Sequence, residues 1–211
     1  MSAVPKPSYR YEEYLALERI AATRSEYYQG QIFAMAGSSP RHNIISVNLI
    51  VALHGRVRSS SCRPFNSDQR IRIPANGLAT YPDVTVVCGE LQVDPEDPDA
   101  ITNPRIIFEV LSKSTESYDR VKKFDLYCQL DSLQEYILVA QDEPRVEHFV
   151  RQEDGTWNLS VLKELTAVLE LQMPKAELPL SEIYEGVTFV AENAGGPDLG
   201  EPSGVNPRTL R

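Results

Sequence analysis

Few cysteines, no long apolar run and no excess of positive charge are what this 211-residue chain shows first. Its three cysteines, Cys62, Cys88 and Cys128, are odd in number, scattered and without metal-ligand spacing. Reduced thiols in the cytoplasm are therefore expected. The longest apolar stretch, Ile44 to Leu53, is interrupted by Ser46 and Asn48 and is too short to span a bilayer. The stretch from Met1 to Arg10 has no apolar region of the kind a secretory signal needs. Neither feature points to a membrane partner. The formal net charge of -9 argues against a general nucleic-acid coat, because phosphate contacts demand lysine and arginine. It leaves room for a local basic groove, since acidic loops can dominate the total.

What is present is the composition of an ordinary globular domain, with a core-forming region to about residue 190 and a Gly-, Pro- and polar-rich tail over 191–211. The pattern predicts a first helix over Ser8 to Ala22, capped by Ser8, then two short strands around a turn at Gln29-Gly30. Pro40 opens a long helix from about Arg41 to Arg58, whose apolar face is read from Ile44, Val47 and Val51, widened by Ile50. A strand or strand pair follows over Arg63 to Ile73, in which Arg70 and Arg72 alternate with Ile71 and Ile73. The acidic loop Glu90 to Asn103 reads as solvated. Strands are expected at Gln134 to Ala140, Arg145 to Arg151 and Thr156 to Leu162, and a short closing helix at Leu180 to Tyr184. Strands mixed with three or four helices around one sheet predict an α/β or α+β fold with a central mixed β-sheet flanked by helices.

Two segments stand out. Tyr81-Pro82-Asp83-Val84-Thr85-Val86-Val87 and Arg105-Ile106-Ile107-Phe108-Glu109-Val110-Leu111-Ser112 are apolar on both faces, the pattern of central strands covered on two sides. Each holds one carboxylate, Asp83 or Glu109, and burying an ionised carboxylate costs several kcal/mol unless a counter-charge, hydrogen bonds or a metal offsets it. If the strands are neighbours, the two acids converge, and paired hard oxygens suit Mg²⁺. In the helix predicted beyond, capped by Ser114 or Thr115, Asp119 and Lys123 share a face with Tyr127 one turn on. A lysine aimed at the acids can stabilise charge developing on a phosphoryl group.

These residues resemble the Uma-type family of candidate endonucleases, within the PD-(D/E)XK, restriction-endonuclease-like superfamily. The resemblance runs from Tyr11 to about Val190. It takes in Glu26-Tyr27-Tyr28-Gln29-Gly30-Gln31-Ile32, Arg41-His42, Pro82-Asp83, Asn103-Pro104-Arg105, Glu109 to Thr115 and Tyr118 to Tyr127. It implies a restriction-endonuclease-like core and a DNA phosphodiester hydrolase. Asp83 and Glu109 would hold Mg²⁺ or Mn²⁺, with the backbone carbonyl of Val110 as a further ligand, and Lys123 would stabilise the transition state. One departure is instructive. The superfamily's usual lysine lies two residues beyond the acid, which here is Leu111. In the Uma-type pattern the lysine sits in the following helix, where Lys123 matches. Lys113, which shares strand parity with Glu109, is the rival, and Lys122 points elsewhere.

The other candidates keep a plain reading beside the functional one. Glu26 is either a polar strand residue beside a turn or, by resemblance, the N-terminal acid that contacts water on the metal. His42, in the first turn of its helix, either satisfies a loop carbonyl or binds phosphate. Arg70 and Arg72 either line a DNA groove or keep a sheet edge soluble. Tyr127 packs or touches substrate, and Asp68 lies near the same sheet. His54 and His148 have no partner legible in the sequence. The resemblance also implies a homodimer, two sites for two strands. A non-catalytic module that keeps the fold and its acids is the competing reading, favoured by the acidity, and a proton-sharing acid dyad in a structural protein is the third.

Overall fold

The computed structural model describes residues 7–112 and 116–189. Lys113, the expected Ser114 or Thr115 cap and the tail over 191–211 lie outside the described residues. Among the described residues no helix is long and apolar enough to cross a membrane.

Helix α1 covers Tyr11–Glu18, shorter than the predicted Ser8 to Ala22. Its N-cap is Arg10, whose backbone N–H donates to the Glu13 side chain at 2.7 Å. Ser8 instead lies against Gly30 in the hairpin of β1 (Ser25–Tyr28) and β2 (Gln31–Ala34). Gly30 has φ +77°, a conformation that favours glycine, and a Cβ there would sit 2.4 Å from the Ser8 hydroxyl and make it turn away.

Helix α2 (Pro40–Val57) starts as predicted, with Ser39 accepting from the His42 backbone N–H at 3.1 Å. Its buried face differs from the predicted one. Ile45, Leu49, Ala52, Leu53 and Val57 enter the core, whereas Ile44, Val47 and Val51 are exposed and Ile50 is only partly buried. The helix carries two apolar stripes, and the longer one wins the sheet.

That sheet has six strands in the order β11-β10-β9-β8-β6-β3, where β3 is Cys62–Asn66, β6 Val84–Cys88, β8 Ile106–Leu111, β9 Glu135–Ala140, β10 Arg145–Arg151 and β11 Trp157–Lys163. The pair β8–β9 is parallel and the other pairs are antiparallel, so the sheet is mixed as expected. One face packs on α2, on α5 (Leu180–Ile183) and on the hairpin of β12 (Val168–Gln172) and β13 (Lys175–Pro179), which the sequence reading did not anticipate. Its signal is the alternation of buried Leu169 and Leu171 with exposed neighbours.

The other face meets the helical segment between β8 and β9. It also meets a five-stranded sheet, β2-β1-β5-β4-β7, with β4 Arg70–Ile73, β5 Leu78–Thr80 and β7 Ala100–Ile101. The stretch from 63 to 73 is therefore two strands in different sheets.

The helical segment is α3 (Glu116–Tyr118), a π-helical stretch (Asp119–Lys123) and α4 (Phe124–Tyr127). A plain helix is what the sequence predicts, and the π turn is the difference.

The acidic loop is not simply solvated. Asp97 is fully buried and pairs with Arg70 at 2.6 Å, while Asp94 faces Arg72 at 3.9 Å. Arg72 also lies over the Tyr11 ring, 3.9 Å from its centroid. The cysteines need correcting too. Cys62 stands opposite Cys88 in the β3–β6 register, and the two form a disulfide, leaving Cys128 as the free thiol.

Candidate active site

Asp83 and Glu109 do come together. Val84 of β6 pairs with Phe108 of β8 in an antiparallel register, which sets the residue before β6 across from Glu109 and on the same face of the sheet. Asp83 Oδ2 accepts the Val110 backbone N–H at 2.7 Å and lies 3.1 Å from His42 Nε2 at the start of α2. Glu109 Oε1 accepts from Lys123 Nζ at 3.0 Å and from the Tyr127 hydroxyl at 2.8 Å. Lys123 also lies 3.3 Å from Glu26 Oε1 and 3.6 Å from Asp119 Oδ1. Glu26 is fixed in turn by the Thr80 hydroxyl at 2.5 Å. The hairpin, α2, both central strands and the π turn thus each deliver a side chain to one depression of about 370 Å³, bordered by the loop over residues 34–39 and by Gln141.

Burial sets the electrostatics. Glu109 is 4% exposed, and burial, with Asp119 and Asp83 nearby, pushes its carboxyl up to about 8 against the opposing pull of Lys123. Burial works against the Lys123 ammonium, but Glu109, Glu26 and Asp119 outweigh it and hold the lysine charged. Burial, then Glu109 beside it, raises Tyr127 well above the ordinary tyrosine value, so its hydroxyl remains a donor.

Among the described residues both carboxylates are anchored through one oxygen: Asp83 through Oδ2 and Glu109 through Oε1. Asp83 Oδ1 and Glu109 Oε2 accept none of these bonds, and both are hard donors of the type Mg²⁺ and Mn²⁺ take. Among the described residues no group of three His, Cys, Asp or Glu side chains is arranged to hold a metal. A pair of acids is the donor chemistry that an ion typically taking one or two carboxylates and keeping several waters would fit.

Other expected residues fall differently. Tyr127 is fully buried, so it holds Glu109 and meets no substrate. Arg70 is absent from the depression: its guanidinium is closed on Asp97 and on the Tyr81 hydroxyl, and it borders a separate groove with Glu18, Arg24 and Asp68. Asp68 pairs with Arg24 at 2.7 Å, away from the acids. Lys122 lies over the Tyr28 ring, 5.2 Å from its centroid. His148, without a legible partner in the sequence, is bonded to fully buried Glu135 at 2.6 Å. The sequence reading missed Thr80 and Gln141, which carry no local signal, since only the packing of separate elements brings them here; Tyr118 figured in the resemblance without a role of its own.

A family model described as "Uma2: Putative restriction endonuclease" matches residues 11–181. The chain belongs to the Uma2 family. Two curated relatives come from Synechocystis sp., both named as uncharacterized proteins. The first, slr1290, is 36% identical over 190 residues, covering 89% of this chain and 97% of the relative. The second, sll1609, is 37% identical over 163 residues, covering 77% and 92%. A crystal structure from Anabaena variabilis ATCC 29413, described as "a putative nuclease belonging to DUF820", superposes with a TM-score of 0.66 at 20% identity. The match covers 82% of this chain and 96% of that one, and at this identity it shows a shared fold. The Uma2 match spans nearly the same region as the sequence resemblance, from Tyr11 onward.

Proposed function

We propose that this Uma2 chain is a metal-dependent endonuclease that hydrolyses DNA phosphodiester bonds, with Asp83 and Glu109 as the metal-holding acids. The observation that carries this reading is the convergence of Asp83, Glu109 and Lys123, from two strands and a helical turn, in one depression. Asp83, Glu109 and the Val110 carbonyl would hold Mg²⁺ or Mn²⁺, which when bound polarises a phosphoryl oxygen and acidifies water.

The chain's own residues do the rest. Val110 N–H and His42 fix Asp83 through one oxygen and so orient the other. Tyr127 does the same for Glu109. Lys123 brings a permanent positive charge beside the phosphorus, where negative charge builds in the transition state. Glu26, held by Thr80, is set to orient water at the entrance to the acids. In-line displacement leaves little covalent work for the protein, so positioning and charge account for the catalysis. A homodimer belongs to the same reading, because cutting two strands takes two sites, and sedimentation or size exclusion tests it.

The test is cleavage of supercoiled plasmid and of single-stranded DNA with Mg²⁺, Mn²⁺ or EDTA, wild type beside Asp83→Asn and Glu109→Gln. Metal-dependent nicking lost in both variants is expected. Substantial cleavage surviving in both would rule the site out. A second reading, a non-catalytic nuclease-fold module, is favoured by the net charge of -9. It predicts DNA binding that is indifferent to metal, with no turnover, which calorimetry with Mg²⁺ and duplex DNA separates from the first.

A further inference from the structure

The π turn has a geometric consequence for the lysine. In a regular α-helix Asp119 and Tyr127 are eight residues apart and so about 80° out of line. A turn closed by i→i+5 bonds holds about one more residue and takes back most of that angle. Asp119, Lys123 and Tyr127 therefore form one inward row, with Lys123 and Tyr127 bonded to the same oxygen of Glu109 at 3.0 and 2.8 Å. A π turn is intrinsically disfavoured and rare, so something must hold it.

Two groups on the sheet do so. Fully buried Tyr136 of β9 donates its hydroxyl to the Asp119 backbone carbonyl at 3.0 Å, at the first residue of the π stretch. One residue on, Arg120 closes an ion pair with Glu147 of β10, which is 4% exposed. Glu147 is held from its other side by Arg145 at 2.5 Å, and Arg120 reaches back to Glu116 at 2.7 Å. The outer side of the turn offers nothing comparable: Val121 is 63% exposed.

We propose that Tyr136 and Glu147 are positioning residues, which hold the π turn open from the sheet and so align Lys123 and Tyr127 on Glu109. Neither touches the depression; both act through the backbone that carries the lysine. The catalytic meaning of this alignment rests on the nuclease reading, but the alignment itself does not. Without the two tethers the turn relaxes toward an α-helix, and Lys123 rotates away from Glu109 toward solvent.

The experiment is acylation of lysine amines in the full-length, metal-free chain, read residue by residue by peptide mass spectrometry. Wild type is compared with Tyr136→Phe, which removes one oxygen, and Glu147→Gln, which removes one charge. Lys123 is expected to react about tenfold faster in each variant, the factor a lost buried hydrogen bond gives. Lys122, Lys163 and Lys175 should keep their wild-type rates, and each variant should still melt in one cooperative step, at a temperature lowered by the lost buried partner. Lys123 staying protected in both variants overturns the proposal. So does a uniform acceleration of all four lysines, which marks a merely structural role. On a cleavable substrate the variants should lose kcat with KM unchanged. If wild type cleaves nothing, the labelling still decides the positioning, and the two readings fail separately.

Discussion

Replacing Lys123 by methionine keeps most of the side-chain volume but removes the cation that Glu109, Glu26 and Asp119 share at 3.0, 3.3 and 3.6 Å. At an effective dielectric of about 20, each contact with an ionised carboxylate is worth about 5 kcal/mol gross, and Glu109 joins that set only above about pH 8. Much of that is offset by the cost of taking the ammonium out of water. Removing one partner of a buried pair leaves a net loss of about 3–5 kcal/mol. For a domain of this size that lowers the melting temperature by on the order of 10 °C. The loss has a pH signature. In wild type, Glu109 rises from its ordinary 4.5 to about 8, so the folded chain holds a proton that the unfolded chain releases, and this contribution fades as pH rises through that window. Lys123 is the main group opposing the rise. Without it Glu109 climbs further, and the window extends upward. The deficit of Lys123→Met is therefore steady at acid pH and grows above about pH 8, which urea melts near pH 6 and pH 9 measure. A deficit below about 1 kcal/mol, the worth of an exposed pair, or one equal at both pH values would refute the reasoning.

Three further outcomes are expected. Arg70→Met should destabilise by about 3–5 kcal/mol at neutral pH, since it leaves buried Asp97 unpaired. Burial would raise Asp97, but its bonds to Arg70 and Tyr11 hold it below the ordinary value of 3.8. Stability from this pair is thus present above that value and lost as pH falls below it, and the Arg70→Met deficit should shrink there in acid melts. Reducing the Cys62–Cys88 disulfide, which spans 26 residues, should cost about 3 kcal/mol, and thiol titration of the unreduced denatured chain should find Cys128 alone. On α2, Leu49→Ala should cost about 2–5 kcal/mol and Val51→Ser under about 0.5 kcal/mol by chemical denaturation, the reverse of what the sequence stripes suggest.

What could be read from the sequence was local. A carboxylate in an otherwise apolar strand is visible without a structure, and period-two parity sets the face on which Asp83 and Glu109 lie. The Gln29-Gly30 turn and the Ser39-Pro40 helix start are likewise written in adjacent residues. What could not be read depends on pairing across distance. Asp97 lies 27 residues from Arg70, in a loop whose composition alone suggests solvent. Cys62 meets Cys88 only once the β3–β6 register is set, and Glu135 finds His148 across the β9–β10 pair. Two apolar stripes on α2 leave its orientation open until the sheet selects one. The π turn has no local signal, because its cause lies in Tyr136 and Glu147 on other strands.

Charge in the depression orders the events that the proposed reaction would require. Among the described residues Glu26, Asp83, Glu109 and Asp119 line it, against the one ammonium of Lys123. A phosphodiester entering that space meets carboxylates first, with Glu109 keeping its proton until a cation displaces it, and like charge at close range in a buried site costs more than the lysine returns. A divalent cation reverses the balance, so on the proposed reading the cation precedes the nucleic acid. DNA affinity, measured by fluorescence anisotropy at fixed ionic strength, should therefore rise with Mg²⁺, and also with Ca²⁺, which offers the same charge to oxygen donors. Asp83→Asn removes one acid, so it should weaken the cation dependence while improving binding in EDTA. An affinity equal in Mg²⁺ and EDTA for wild type would place the DNA contacts elsewhere on the surface and leave the acids without a part in binding.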